Sequence, residues 1–280
     1  MANRRNFIKA AGLGLAASAI PGIINASGSV AGRKKKNKYD FDLGIASYSL
    51  RQFSREEALE MAQRCGVNKM TFKSMHLPLD SSKEEIKKAV AQCKEKGIDL
   101  YGGGVIYMKN KDQVDQAFEY AKTAGMDMIV GVPNHELLKY VEGKVKDYDI
   151  KLAIHNHGPG DKLYPSAESA YELIKNMDKR MGLCIDSGHT KRINGDPEKD
   201  LKNFFDRVYD VHIKDVTKAA ADGKTCIIGR GVIDFESFLK TAGKLDYDGV
   251  LALEYEAEAE DPLPGMMESF GYVRGILAAL

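Results

Sequence analysis

Tryptophan is absent from the 280 residues, and cysteine is scarce. The four cysteines, Cys65, Cys93, Cys184 and Cys226, contain no C-x-x-C pair, which excludes a zinc ribbon and a thioredoxin-type redox site. Buried free thiols are expected, because a Cys65–Cys93 bridge would need two helix ends to meet. A bilayer-spanning run is also missing: the stretch Ala10 to Ile24 is short, rich in Ala and Gly, and interrupted by Pro21. No stable membrane anchor is therefore expected. No G-x-G-x-x-G follows the first apolar run, which argues against a dinucleotide-binding fold. Gly102-Gly103-Gly104 is not that fingerprint, since the apolar run continues through Val105, Ile106 and Tyr107; it marks a close approach of backbone to its neighbours. No internal repeat is evident.

Acid is missing from residues 1–38, which hold eight Lys or Arg. Of 41 bases in all, 33 remain for the rest of the chain against 40 acids, so the body carries −7. A body that acidic is a poor candidate for gripping phosphate backbones, and no nucleic-acid partner is expected. With 44% hydrophobic and 29% charged residues, the composition is that of a soluble globular chain.

The amino terminus reads as an address. Arg4-Arg5 precede the modest apolar stretch, and small residues follow at Ala26-Ser27-Gly28-Ser29-Val30-Ala31. This order resembles a twin-arginine export signal, which carries folded proteins to the periplasm. The expected organisation is a signal over 1–31, a basic linker over 32–39 and one domain over 40–280.

From Asp40 onward, short apolar runs at 42–50, 69–73, 99–107, 127–132, 151–157, 181–187, 208–215 and 249–256 alternate with charged stretches of helical spacing. Ser54 and Ser82 each stand three residues before a Glu, Glu57 and Glu85, in the pattern of a capping box. Gly66, Gly97 and Gly125 close helical stretches just before the next run. Eight strand–helix units without a hairpin signal predict a parallel sheet closed into a (β/α)8 TIM barrel, an α/β fold that commonly occupies roughly 250 residues.

Barrel strands are apolar outward, and their inward side chains at the carboxyl ends build active sites. If Leu152 and Ile154 face the helices, then His155 and His157 face inward. The same alternation sends Asp186 inward, with His189 at that strand's mouth. It sends His212 and Lys214 inward between Val211 and Ile213, and Glu254 after Leu253. Imidazoles and carboxylates converging from successive strands are costly to bury unless a cation pairs them. A mixed N and O set suits Mn, Zn, Co or Fe(II), with Mg a poorer match. The candidate ligands of one divalent ion are Asp186, Glu254 and two or three of these imidazoles. Lys73, His76 and Tyr107 lie at other strand ends, where they are candidates for substrate contact together with His189. Tyr48 is a stacking candidate, and His135 is expected to be exposed and idle.

These residues carry a resemblance. From Asp40 to Leu280 the chain resembles the xylose isomerase-like barrel superfamily, which includes sugar phosphate isomerases/epimerases, ketose 3-epimerases and family 2 apurinic endonucleases. Members hold a divalent ion with a Glu, an Asp, a His and a Glu on successive strands. Asp186, His212 and Glu254 match the last three; His189 matches a histidine that contacts substrate or metal, and His212-Ile213-Lys214-Asp215 matches an H-x-K-D strand. Where the family usually reads Glu-Asn-His, this chain reads His155-Asn156-His157, which places a two-carboxylate proton exchange in doubt. In this it is similar to barrels of periplasmic 3-keto-glycoside processing.

The resemblance implies a metal-dependent isomerase or epimerase acting on a keto-sugar, with Glu254 or His157 as the base and Lys214 steadying the oxyanion. The alternative it leaves open is a lyase or hydratase acting on 3-keto-glycosides or their enone products. A non-catalytic sugar-binding barrel is the lesser alternative. The expected partner is a small sugar, and self-association into a homo-oligomer is left open.

Overall fold

Each of the eight apolar runs forms a strand: β1 (Asp42–Ala46), β2 (Lys69–Phe72), β3 (Asp99–Met108), β4 (Met128–Pro133), β5 (Lys151–His155), β6 (Met181–Asp186), β7 (Val208–Ile213) and β10 (Val250–Leu253). All are parallel and close in the order β1-β10-β7-β6-β5-β4-β3-β2. The helices between and after them are α1 (Arg55–Arg64), α2 (Lys83–Glu95), α3 (Lys111–Ala124), α4 (Leu138–Tyr148), α5 (Ala167–Ile174), α6 (Ser187–Arg192), α7 (Pro197–Asn203), α8 (Phe235–Lys244) and α9 (Leu263–Ala279). This is a (β/α)8 TIM barrel. The computed structural model describes residues 38–280, so the expected signal at 1–31 and nearly all of the 32–39 linker lie outside the described residues.

The local signals act as expected. Ser54 and Ser82 cap α1 and α2 in complete capping boxes with Glu57 and Glu85. Helix α1 turns Ala58, Leu59 and Ala62 to the core, and α3 turns Val114, Ala117, Phe118 and Ala121. The backbone around Gly104 does approach its neighbour: a Cβ there would lie 2.4 Å from the Val130 carbonyl oxygen. All four cysteines are free, with Cys226 alone only partly buried. No helix among the described residues is long and apolar enough to cross a membrane.

One expectation fails. A two-stranded antiparallel sheet, β8 (Asp215–Val216) with β9 (Thr225–Cys226), follows β7, where the sequence pattern predicts no hairpin. Two residues per strand are too few to show alternation. What organises the segment is Asp215, whose buried carboxylate accepts the amides of Val216, Gly229, Gly231 and Ile233. The last residue of the H-x-K-D strand thus shapes a loop and takes no place in the cavity.

At the carboxyl rim, side chains tie neighbouring strand ends together. The Ser47 hydroxyl accepts the amide of Lys73, and Ser49 bridges the Leu253 carbonyl and the Tyr255 amide. The Asn156 side chain accepts the amide of Asp186 at 2.9 Å and donates to Thr190, joining the mouth of β5 to that of β6. These bonds set the positions from which the site's side chains project.

Candidate metal centre

His155 ends β5, Asp186 ends β6, His212 lies near the end of β7 and Glu254 directly follows β10. The ladder pairs Asp186 with His212, which places them level across two adjacent strands. His155 Nε2 is 3.1 Å from His212 Nδ1, 3.5 Å from Asp186 Oδ2 and 3.8 Å from Glu254 Oε2. His212 Nδ1 is 3.4 Å from the same Glu254 oxygen. All four donor atoms lie within 4.8 Å of one another, and all four residues are buried. Around a four-coordinate ion with bonds near 2.0–2.2 Å, donors stand about 3.4 Å apart. The four separations given, 3.1 to 3.8 Å, bracket that value, and Asp186 Oδ2 takes no amide or hydroxyl hydrogen bond, its close polar neighbours being the Lys214 ammonium and His155. The residues fit a divalent ion.

The spacing from Asp186 to His189 has a local cause. Asp186 is the N-cap of α6, and its Oδ1 accepts the His189 amide at 2.8 Å. One carboxylate oxygen is thereby committed to the helix, and the other is left facing His155. His189 Nε2 reaches within 4.0 Å of that second oxygen.

Lys214 sits beside this cluster as an internal cation. Its ammonium is 2.8 Å from Asp186 Oδ2 and 2.9 Å from Glu254 Oε2, and it also pairs with Glu256. Burial pushes Glu254 and Asp186 up, but Lys214 and then His212 for Glu254, and His189 and then Lys214 for Asp186, hold both carboxyls well below their usual range. Burial lowers Lys214, and its three carboxylates more than reverse that.

Outside the buried cluster lies a cavity of about 210 Å³, into which His155, His157, His189 and Glu254 face. Lys73 forms part of its wall, its ammonium stacked over the Tyr48 ring at 4.7 Å and 5.9 Å from that of Tyr107. Tyr107 is 44% exposed, and its hydroxyl meets His157 Nε2 at 2.9 Å. Desolvation lowers the imidazoles of His155 to about 4 and of His189 to about 3, and lowers His157 as well, so all three are neutral near pH 7. His157 is paired with none of Asp186, Glu254, Glu256 or Lys214; its Nδ1 lies 3.9 Å from Asp161 Oδ2.

A family model described as Xylose isomerase-like TIM barrel matches residues 59–275. The chain belongs to that family. An inosose dehydratase of Salmonella typhimurium is 31% identical over 134 residues, a match covering 41% of this chain and 44% of that protein. The chain spans less than half the length of the curated relatives it matches. Among solved structures, an IOLI protein described with a binding zinc atom superposes with a TM-score of 0.71 at 16% identity, covering 85% of this chain and 99% of that one. A D-tagatose 3-epimerase-like protein gives 0.70 at 19% identity, covering 85% and 98%. Those two likenesses concern the fold, and the relatives of this xylose isomerase-like barrel include enzymes.

Most of the residues read from the sequence meet here, but His76 does not. It is buried to 2% exposure with its Nε2 3.2 Å from the Leu50 carbonyl and its ring beside Phe72, and it does not line the cavity. The turn over Ser47–Leu50 folds across it, which no local pattern announces. His135 is exposed, as expected, with Nε2 on the Leu163 carbonyl.

Three groups escaped the reading. Glu256 shares the parity of Glu254 and joins the cavity, and Asp210 shares that of His212 one layer deeper. Alternation alone would have found both. Asp161 lies on the loop after β5, where no alternation applies. Cys184 is also close to His155 and His212. Burial, and then Asp210, push its thiol well above its usual range, and it donates to that carboxylate; it is a poor ligand.

Proposed function

We propose that this chain is a divalent-metal-dependent lyase or hydratase that removes or adds water next to the ketone of a keto-sugar or keto-polyol. The observation that carries this reading is that His157, an imidazole in the cavity wall, is paired with neither Lys214 nor the carboxylates Lys214 holds. Epimerisation by two carboxylates needs one on each face of the substrate. Here the strand position that would supply the first is His155, and Glu254 is pinned by Lys214 and His212. His157 remains, neutral and hydrogen-bonded to Tyr107. Elimination needs only one such group.

His155, Asp186, His212 and Glu254 would hold the ion, and a mixed N and O set of this kind favours Zn, Mn, Co or Fe(II). When bound, a divalent ion supplies Lewis-acid polarisation of the substrate carbonyl, which acidifies the adjacent C–H. The His157–Tyr107 pair takes the proton from the α-carbon and returns one to the departing β-hydroxyl. Water leaves from a β-hydroxyl, or the aglycone alcohol from a 3-keto-glycoside, a carbon–carbon double bond forms, and the reverse sequence adds water to an enone. Lys73 offers an ammonium to a substrate oxygen at the cavity wall, and His189 a neutral imidazole beside Asp186. Lys214 keeps the three carboxylates in place. The inosose dehydratases among the relatives support the lyase class over the isomerase class that the family resemblance implies.

The test is to incubate zinc- or manganese-loaded protein with 3-keto-glucosides, their enone products and inososes in heavy water. The expected result is interconversion of ketone and enone, with deuterium entering at the carbon next to the carbonyl. A stereoisomer carrying deuterium, with no enone at any time, would establish epimerisation instead. Binding without turnover would establish a sugar-binding barrel. We propose further that residues 1–31 direct export to the periplasm; replacing Arg4 and Arg5 by Lys should retain the protein in the cytoplasmic fraction.

A further inference from the structure

Beneath the candidate metal centre lies a second layer of polar side chains. Asp210 is two residues before His212 on β7, so both point into the barrel, and the ladder pairs Asp210 with Cys184 as it pairs His212 with Asp186. Asp210 is fully buried. Its carboxylate receives the Tyr101 hydroxyl at 3.2 Å and the Cys184 thiol at 3.7 Å, and its ion-pair partner among the described residues is His212. No Lys or Arg pairs with it there.

The imidazole of His212 is therefore placed between two acidic groups. Its Nδ1 faces Glu254 Oε2 and His155 Nε2, and its Nε2, 3.6 Å from Asp210 Oδ2, has no hydrogen-bond partner. A histidine that ligates through one nitrogen carries its proton on the other. For His212 that proton must sit on Nε2, and the acceptor it faces is Asp210.

We infer that Asp210 is the positioning residue of the metal centre: its buried carboxylate selects the Nε2–H form of His212 and turns Nδ1 toward the ion. This rests on the metal-site reading above. It also gives a function to a buried carboxylate whose interactions with Tyr101 and Cys184 alone do not require a negative charge in the barrel interior. Tyr101 and Cys184 then serve to orient the carboxylate.

The test is zinc affinity of the wild-type protein and of Asp210→Asn, by competition with a chelating dye, beside thermal melting of both metal-free proteins. Asparagine keeps the size and the acceptor for Tyr101 and removes the charge. The expected result is zinc binding weakened roughly 10- to 100-fold, with metal-free melting unchanged or raised because a buried charge has gone. Equal affinity in the two proteins would overturn the inference. Absence of zinc or manganese binding by the wild type would overturn the metal reading itself, a different outcome. Should the variant fail to fold, nitrogen-edited NMR of the zinc-loaded wild type decides. A protected, downfield Nε2 proton on His212 supports the inference, and a ring without one refutes it.

Discussion

The Lys214 ammonium lies 2.8 Å from Asp186 Oδ2, the same oxygen that faces His155 across the candidate metal centre. A buried ammonium thus compensates carboxylates that a divalent ion would also share, and together they explain how so much charge sits in a barrel interior. Replacing Lys214 by Met leaves Asp186, Glu254 and Glu256 without their internal cation. The metal-free variant should lose about 3–5 kcal/mol of stability, and zinc should restore more of its melting temperature than zinc adds to the wild type. Denaturant melts with and without metal measure both quantities, and equal gains in the two proteins would disprove the compensation.

His157 and Tyr107 form the acid–base pair in this reading, and neither belongs to the ligand set. His157→Gln should lower kcat by roughly 100- to 10,000-fold while zinc content stays at the wild-type level. Tyr107→Phe should have a smaller effect in the same direction. Turnover and metal analysis on the same preparations separate the two roles, because loss of metal from the His157 variant would make it a ligand.

Asp200, on α7, is partly buried and accepts the Thr190 hydroxyl at 3.2 Å; desolvation pushes its carboxyl up to about 6. The folded chain then holds that proton more tightly than the unfolded one. Stability from this group declines as the pH climbs from about 4 to about 6, and the cost persists above that window. Asp200→Asn should stabilise the protein at pH 7 by up to about 3 kcal/mol, and the advantage should disappear below pH 4. Urea melts across that range test the sign; a variant advantage that grows as the pH falls would contradict it.

Gly104 and Gly143 should respond to alanine in opposite directions. At Gly104 a methyl group would meet the Val130 backbone at 2.4 Å, whereas at Gly143, inside α4, nothing lies within 4 Å. Gly104→Ala should cost about 1–3 kcal/mol, and Gly143→Ala should add about 0.5–1 kcal/mol through helix propensity. Equal denaturation midpoints for the two variants would refute this account of the β3–β4 contact.

Much of the site was legible because strand alternation is a local property. Once Leu152 and Ile154 face the helices, His155 has no choice of side, and the same holds for Asp186, His212, Lys214 and Glu254. The same rule covers Asp210 and Glu256, although those positions do not stand out by residue type in a sequence with 40 acidic residues. His76 shows where the rule stops. It lies beyond the end of β2 in a turn, and its direction follows from the Leu50 carbonyl it meets from another part of the chain. The antiparallel pair at β8 and β9 escaped for a similar reason, being held by one aspartate reaching amides 14 to 18 residues away.

Periodicity, caps and glycine stops by themselves determined that this chain forms eight strand–helix units and which side chains enter the barrel. They act over a turn or a few residues, so they are readable without knowledge of any partner. Closure of the sheet decided the rest: which imidazoles and carboxylates stand one ligand spacing apart, that Lys214 spends its charge on three acids, and that His157 stays unengaged by them. Those facts depend on distances between side chains far apart in sequence, and such distances exist only once the strands are packed side by side.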